Sequence, residues 1–265
     1  MPYQTVNGIN IYYEERGSGE PLTLINGLAF PMDLWLAQIQ ELSKDFRVIA
    51  LDNRGIGRSD KPDEEYSIAM MASDAVGLLR ALEIKKTHVA GLSMGGFIAQ
   101  EMALSYPDMV NRLILVATGM GGVRSAKLSK PFWEKVAAEI AGKTPEQVYR
   151  IDMTLMTAPG FVEKHPDILE RSVSMRIKNP QPLFAFLRQF AAASVFDINH
   201  IARNISQPTM IILADQDPIF PIALAEDYKK TLSGAKMIIY ENCGHAIPLE
   251  KPDWLSGDIR EFLLG

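Results

Sequence analysis

The sequence predicts an α/β protein: a mainly parallel twisted sheet with flanking helices, interrupted by a helical insertion. Three observations predict it. Apolar runs of strand length at Leu22–Ile25, Val48–Leu51, Thr87–Ala90, Leu113–Ala117, Thr209–Leu213 and Met237–Tyr240 alternate with stretches of helical periodicity, the pattern of successive βαβ units. That rhythm stops between Val123 and Ile205, where no strand reads and apolar residues recur at helical spacing. Finally, Val89-Ala90-Gly91-Leu92-Ser93-Met94-Gly95-Gly96-Phe97-Ile98-Ala99-Gln100 reads as a buried strand, a tight turn and a helix. Gly-x-Ser-x-Gly in that setting leaves the serine exposed on a sharp chain reversal.

At the N-terminus, Tyr3–Val6 and Ile9–Tyr13 alternate in polarity about Asn7-Gly8, a strong hairpin signal. After Leu22–Ile25 the run is stopped at once by Asn26-Gly27, and a helix is expected over Met32–Leu42 with Trp35, Ile39 and Leu42 on one face. The strand Val48–Leu51 leads into the loop Asp52–Asp60. Ile68–Leu82 carries a stripe of Met71, Ala75, Leu78, Leu79 and Leu82 and reads as the next helix. After the serine turn and its helix, the Leu113–Ala117 strand leaves through a glycine-rich exit at Gly119–Gly122. The insertion is broken at Pro159-Gly160 and Asn179-Pro180. Ile222–Leu232 and Trp254–Leu264 supply the last helices, so the chain divides into core residues 1–122, a helical cap over 123–205 and core residues 206–265.

Composition excludes several classes. With 265 residues, 47% hydrophobic and 22% charged, the chain can bury one sizeable core. A formal charge of −5 argues against a nucleic-acid partner. There is no basic-then-apolar leader, and no apolar run approaches the roughly 18 residues that span a bilayer, so a cytoplasmic location without membrane contact is expected. The single cysteine, Cys243, leaves no intramolecular disulfide and no cysteine-based metal site. Neither a Walker loop nor His-Glu-x-x-His occurs, and Arg54-Gly55-Ile56-Gly57 lacks the third glycine of a dinucleotide fingerprint and reads as a structural turn. No cofactor and no metal are expected, and the implied partner is a small-molecule substrate.

Two further strand ends carry chemistry. Thr209–Leu213 runs into Ala214-Asp215-Gln216-Asp217-Pro218, and Met237–Tyr240 runs into Glu241-Asn242-Cys243-Gly244-His245. Parallel sheets assemble sites outside the carboxyl ends of their strands. A serine hydroxyl needs a base, and the base needs a carboxylate to fix its tautomer. Ser93, His245 and either Asp215 or Asp217 meet those needs.

The chain resembles the α/β-hydrolase superfamily over nearly its whole length. The resemblance rests on Asn7-Gly8-Ile9 with Gly17-Ser18-Gly19-Glu20-Pro21, Asp52-x-Arg54-Gly55-x-Gly57-x-Ser59, Gly91-Leu92-Ser93-Met94-Gly95-Gly96, and Gly244-His245-x-x-x-Leu249-Glu250-x-Pro252. Within the superfamily it is most similar to the enol-lactonase and small-ester hydrolase branch. The resemblance implies Ser93 as nucleophile, Asp217 rather than Asp215 as the acid, His245 as the base, and the backbone N–H groups of Leu28 and Met94 as the oxyanion hole. Two positions depart from the family pattern: Asn26 stands where a histidine is usual, and Ala214 where glycine is usual.

The remaining candidates read as structural. His88 is expected to be a packed or edge residue of its strand, His165 a solvated turn, His200 a capping or surface residue, and Cys243 a small buried filler. Phe132, Trp133, Met153, Met156, Phe161, Met175, Phe184 and Phe186 of the insertion either line an apolar pocket or pack the cap itself. The implied activity is cofactor-independent hydrolysis of a small carboxylic ester or lactone through an acyl-enzyme. The alternatives are hydrolysis of a carbon–carbon bond in a diketone by the same three residues, and a ligand receptor that keeps the fold.

Overall fold

The computed structural model describes residues 2–265. Eight strands, β1 (Tyr3–Val6), β2 (Ile9–Arg16), β3 (Pro21–Ile25), β4 (Arg47–Leu51), β5 (Thr87–Leu92), β6 (Val110–Val116), β7 (Thr209–Ala214) and β8 (Lys236–Tyr240), form one sheet in the order β1-β2-β4-β3-β5-β6-β7-β8. The β1/β2 and β2/β4 pairs are antiparallel and the other five are parallel. The hairpin turns at Asn7 and Gly8, both at positive φ, the geometry a two-residue loop between right-twisted strands requires.

The inner strands are apolar along their length because helices cover both faces. On β4, Ile49 and Leu51 face α2 (Ile68–Ala81) and α3 (Met94–Ser105), whereas Val48 and Ala50 face α1 (Leu36–Leu42) and α11 (Pro252–Leu264). The helix expected over Met32–Leu42 is divided: Met32–Trp35 is a 3₁₀ turn and α1 follows. Its entry is fixed by the buried Asp52 carboxylate, which accepts from the Met32 N–H at 2.7 Å and the Arg58 N–H at 2.8 Å. The stretch expected as one helix from Ile222 divides likewise, into a 3₁₀ turn and α9 (Ala225–Thr231). A short helix, α10 (Ile247–Glu250), was not expected and follows the β8 loop.

Between β6 and β7 the chain forms α4 (Gly122–Ile140), α5 (Pro145–Met156), α6 (Phe161–Lys164), α7 (Pro166–Lys178) and α8 (Leu183–Ser194). The two ends of this helical segment are pinned together: Gly121 bridges Asp197, and the Gly122 N–H donates to the Phe196 carbonyl at 2.9 Å. Gly121 is at φ +73°, and a Cβ there would lie 2.0 Å from the Phe196 oxygen. Among the described residues, no helix is long and apolar enough to cross a membrane.

The Asp52–Ser59 motif is a structural knot. Arg54 donates to both oxygens of Asp74 on α2, at 2.5 and 2.8 Å, and Ser59 links the Asp52 carbonyl to the Tyr12 N–H. His88 is buried in β5, with Nε2 2.8 Å from Glu20. Burial, outweighing the nearby Glu20, pulls its pKa below the usual 6.5. The unfolded chain therefore takes up a proton near 6.5 that the folded chain resists, and stability is lost as pH falls through and below that value. His88→Gln, which cannot titrate, is expected to flatten the acid-side decline in Tm, measured by thermal denaturation across that window.

Candidate active site

Ser93 stands between β5 and α3 at φ 56°, ψ −121°, a conformation that costs a non-glycine residue on the order of 1–3 kcal/mol. Its surroundings impose it. The Ser93 N–H donates to the Val116 carbonyl at 2.9 Å, and the Ser93 carbonyl accepts from Thr118 Oγ1 at 2.8 Å. β5 and α3 approach so closely that a Cβ on Gly91 would lie 2.2 Å from the Gly95 oxygen, and α3 sits so near the end of β3 that one on Gly95 would lie 2.3 Å from the Ile25 oxygen.

The loop after β3 comes just as near. A Cβ on Gly27 would meet Ser93 Cβ at 2.9 Å. Asn26 is buried, and its side-chain amide donates to the carbonyls of Phe30 (3.0 Å) and Pro31. Asn53 in turn donates to the Asn26 carbonyl at 2.9 Å. The loop Asn26–Pro31 is thus closed on itself by the residue that departs from the family pattern. Neither the Leu28 N–H nor the Met94 N–H, the first of α3, is used in a hydrogen bond among the described residues, and both residues line the cavity that Ser93 lines.

The chain beyond β7 brings Asp217, not Asp215, to His245. Asp217 is buried, and its Oδ2 lies 2.8 Å from His245 Nδ1. Its Oδ1 accepts from the N–H groups of Ile219 and Phe220 at 2.8 and 2.9 Å. Asp215 is exposed and accepts only from the Cys243 N–H at 3.2 Å. Because a carboxylate accepts, Nδ1 carries the proton, and Nε2 of the neutral ring is left as an acceptor. Phe220 stacks on the imidazole, with ring centroids 5.8 Å apart. Ser93 and His245 open onto one cavity of about 760 Å³.

A family model described as the alpha/beta hydrolase fold matches residues 20–252. The chain belongs to the α/β-hydrolase fold family. A protein of Azorhizobium caulinodans, provisionally named carbamate hydrolase RutD, is 27% identical over all of this chain and 97% of its own. The 3-oxoadipate enol-lactonase 2 of Acinetobacter baylyi is 27% identical over 83% of this chain and 80% of its own. Among solved structures, a thermophilic esterase from Thermogutta terrifontis superposes with a TM-score of 0.84 at 26% identity, covering 99% of this chain and 96% of the esterase.

In this hydrolase the helical segment lines the cavity and is fastened to the histidine loop. The His245 N–H donates to the Met156 carbonyl at 2.6 Å, and a Cβ on Gly244 would lie 2.5 Å from that oxygen. Glu250 Oε2 accepts from the Ala158 N–H (2.9 Å) and the Gly244 N–H (3.0 Å). Burial pushes the Glu250 carboxyl above its usual range, against those same bonds. Of the eight apolar residues of this segment singled out in the sequence, Phe132, Trp133, Met156 and Phe186 line the cavity. Met153 is buried in the core on the α1/α11 side of the sheet, and Phe184 is exposed. His165 and His200 are exposed and Cys243 is fully buried. Sequence reasoning missed Tyr149, Asp152 and Arg176, which also line the cavity, and gave no role to Glu250.

Glu250→Ala orphans two buried amides and is expected to lower unfolding stability by at least about 2 kcal/mol. Glu250→Gln keeps an oxygen acceptor and sheds the cost of burying charge, so at neutral pH it is expected to hold native stability. Chemical denaturation of the two variants measures both.

Proposed function

We propose that this protein is a cofactor-independent serine hydrolase of small carboxylic esters or lactones, working through an acyl-enzyme on Ser93. The observation that carries the reading is the sharing of one cavity by Ser93, an Asp217-oriented His245, and the unpaired N–H groups of Leu28 and Met94. The enol-lactonase and esterase relatives support the substrate class.

In this mechanism Ser93 Oγ adds to the ester carbonyl carbon while its proton passes to His245 Nε2. The carbonyl oxygen becomes an oxyanion facing the Leu28 and Met94 N–H groups. A single such donor is worth on the order of 100-fold or more in turnover. Collapse of the tetrahedral species breaks the carbon–oxygen bond, and the leaving alkoxide takes the proton from His245. For a lactone, this alkoxide stays tethered to the acyl group. Water then adds to the acyl carbon with His245 again taking a proton, and Ser93 leaves protonated. Asp217 holds the ring in the required tautomer and stabilises the imidazolium.

Labelling with a fluorophosphonate probe, followed by intact-mass measurement and peptide mapping, tests this without knowledge of the substrate. A single adduct on Ser93 is expected, absent from His245→Ala. Ester turnover is expected to vanish in Ser93→Ala and His245→Ala. It should fall on the order of 10⁴-fold in Asp217→Asn and stay unchanged in Asp215→Asn. Folded native protein that takes no label, or a label that survives His245→Ala, would overturn the assignment.

A further inference from the structure

Ester chemistry leaves one feature of the cavity wall unused. Asp152 on α5 and Arg176 on α7 both line the cavity, and the Arg176 side chain is only 6% exposed. Its guanidinium lies over the Tyr149 ring, 3.9 Å from the centroid, and over the Phe30 ring of the oxyanion loop at 4.6 Å. Both of its Nη atoms contact the same oxygen, Asp152 Oδ2, at 3.1 Å. Asp152 Oδ1 and Arg176 Nε make no hydrogen bond among the described residues. This is not the parallel two-bond fork in which an arginine and a carboxylate satisfy one another.

A buried pair of this kind is a poor device for stability. The attraction offsets desolvation only when the remaining donors and acceptors are also satisfied, and an apolar pair of similar volume generally does as well or better. Here, burial pushes the Asp152 carboxyl up and the Arg176 guanidinium down, each toward its neutral form. A guanidinium has five N–H donors; the inner N–H of each Nη meets Asp152 Oδ2, while the outer two and the Nε N–H point away from the carboxylate, whose Oδ1 is left free. Around them the wall is mostly apolar, with Val136, Ile140, Val148 and Phe186 among its residues.

We propose that Asp152 and Arg176 form a binding subsite for an uncharged group that both donates and accepts hydrogen bonds, a carboxamide or a hydroxyl, carried by the substrate outside its scissile bond. The proposal rests on the serine-hydrolase reading of the same cavity. A carboxamide, whose donor and acceptor are separate atoms, can serve both partners and a hydroxyl one of them at a time, and neither adds net charge to the buried pair. A carboxylate would face Asp152, an ammonium would face Arg176, and a methyl end would displace water while leaving every spare donor and acceptor unpaired. Sites built to hydrogen-bond a substrate group discriminate strongly against analogues that lack it, for that last reason.

The test uses 4-nitrophenyl esters of straight acyl chains of graded length, ending in methyl, carboxamide or carboxylate. At the length that fits, native protein is expected to show kcat/KM roughly tenfold or more higher for the carboxamide than for either of the others. The double variant Asp152→Leu, Arg176→Met is expected to lose that preference while its Ser93 still takes the fluorophosphonate label. Asp152→Asn preserves shape and lifts one charge, so it is expected to raise the carboxylate ester relative to native and serves if the double variant does not fold. A purely structural pair would shift all three esters together and leave their ratios unchanged. Unchanged ratios in both variants, or a native preference for the methyl or carboxylate end at every length, would overturn the subsite. Calorimetric binding of the same esters to Ser93→Ala reads the subsite without turnover. An end-group preference there, in a protein whose native form takes no label, would uphold the subsite and sink the serine mechanism.

Discussion

Everything at this site depends on one steric constraint: how closely β5 and α3 can approach at Ser93. The backbone there is strained, and it is held because Gly91 leaves no Cβ between β5 and α3, Gly95 none between α3 and the end of β3, and Gly27 none against Ser93. The same approach sets the start of α3 beside the β3 loop, so the free N–H of Met94 and that of Leu28 come to one cavity. Strain at a functional residue persists only where the surroundings over-determine it. Here they do so by hydrogen bonds from the Ser93 backbone to Val116 of β6 and from the Thr118 side chain just after it to the Ser93 carbonyl. The parallel register of β3, β5, β6, β7 and β8 then delivers the chain after β3, β5, β7 and β8 to the same end of the sheet.

Around this turn, polar groups tie each loop either to itself or to a neighbouring one. Asn26 closes the loop after β3, and Asn53 holds Asn26. The peptide N–H groups after Asp217 hold its Oδ1, leaving Oδ2 for His245. Gln189 on α8 donates to the Arg54 carbonyl at 2.7 Å, and Gln181 to the Gly55 carbonyl at 3.0 Å, which seats the far end of the helical segment on the Asp52–Ser59 knot. The site is therefore positioned by backbone-directed hydrogen bonds, whose geometry is narrow, more than by apolar packing.

How much of this was legible in the sequence follows from how local each signal is. The elbow, the two strand ends and the hairpin are written in contiguous residues, so the fold class could be read directly, as could the delivery of Ser93 and His245 to one cavity. Asp215 and Asp217 differ by two positions on one loop, and the residues alone left both open; the choice of Asp217 needed the resemblance. Glu250 acts on Ala158, 92 positions away, and no local pattern encodes that. Asp152 and Arg176 sit on separate helices, 24 positions apart, where charged residues ordinarily mean a solvated face. The apolar residues of the helical segment divided evenly between cavity and elsewhere because helical spacing tells which residues share a face but not what that face meets. Phe186 and Phe190 share one face of α8 and line the cavity, whereas Phe184 lies on another.

The fastening of Met156 and Ala158 to the histidine loop falls near the middle of the helical segment, not at either end. A segment pinned at its centre as well as at its neck falls into two halves, α4 and α5 on one side and α6 to α8 on the other, but the halves are not independent. They meet across α5 and α7, where Arg150 pairs with Glu170 and Asp152 with Arg176. A change of length or packing in one half is therefore passed to the other, while the histidine loop stays tied to the fixed point between them. Diversification of substrate range in such an architecture has to move both halves together.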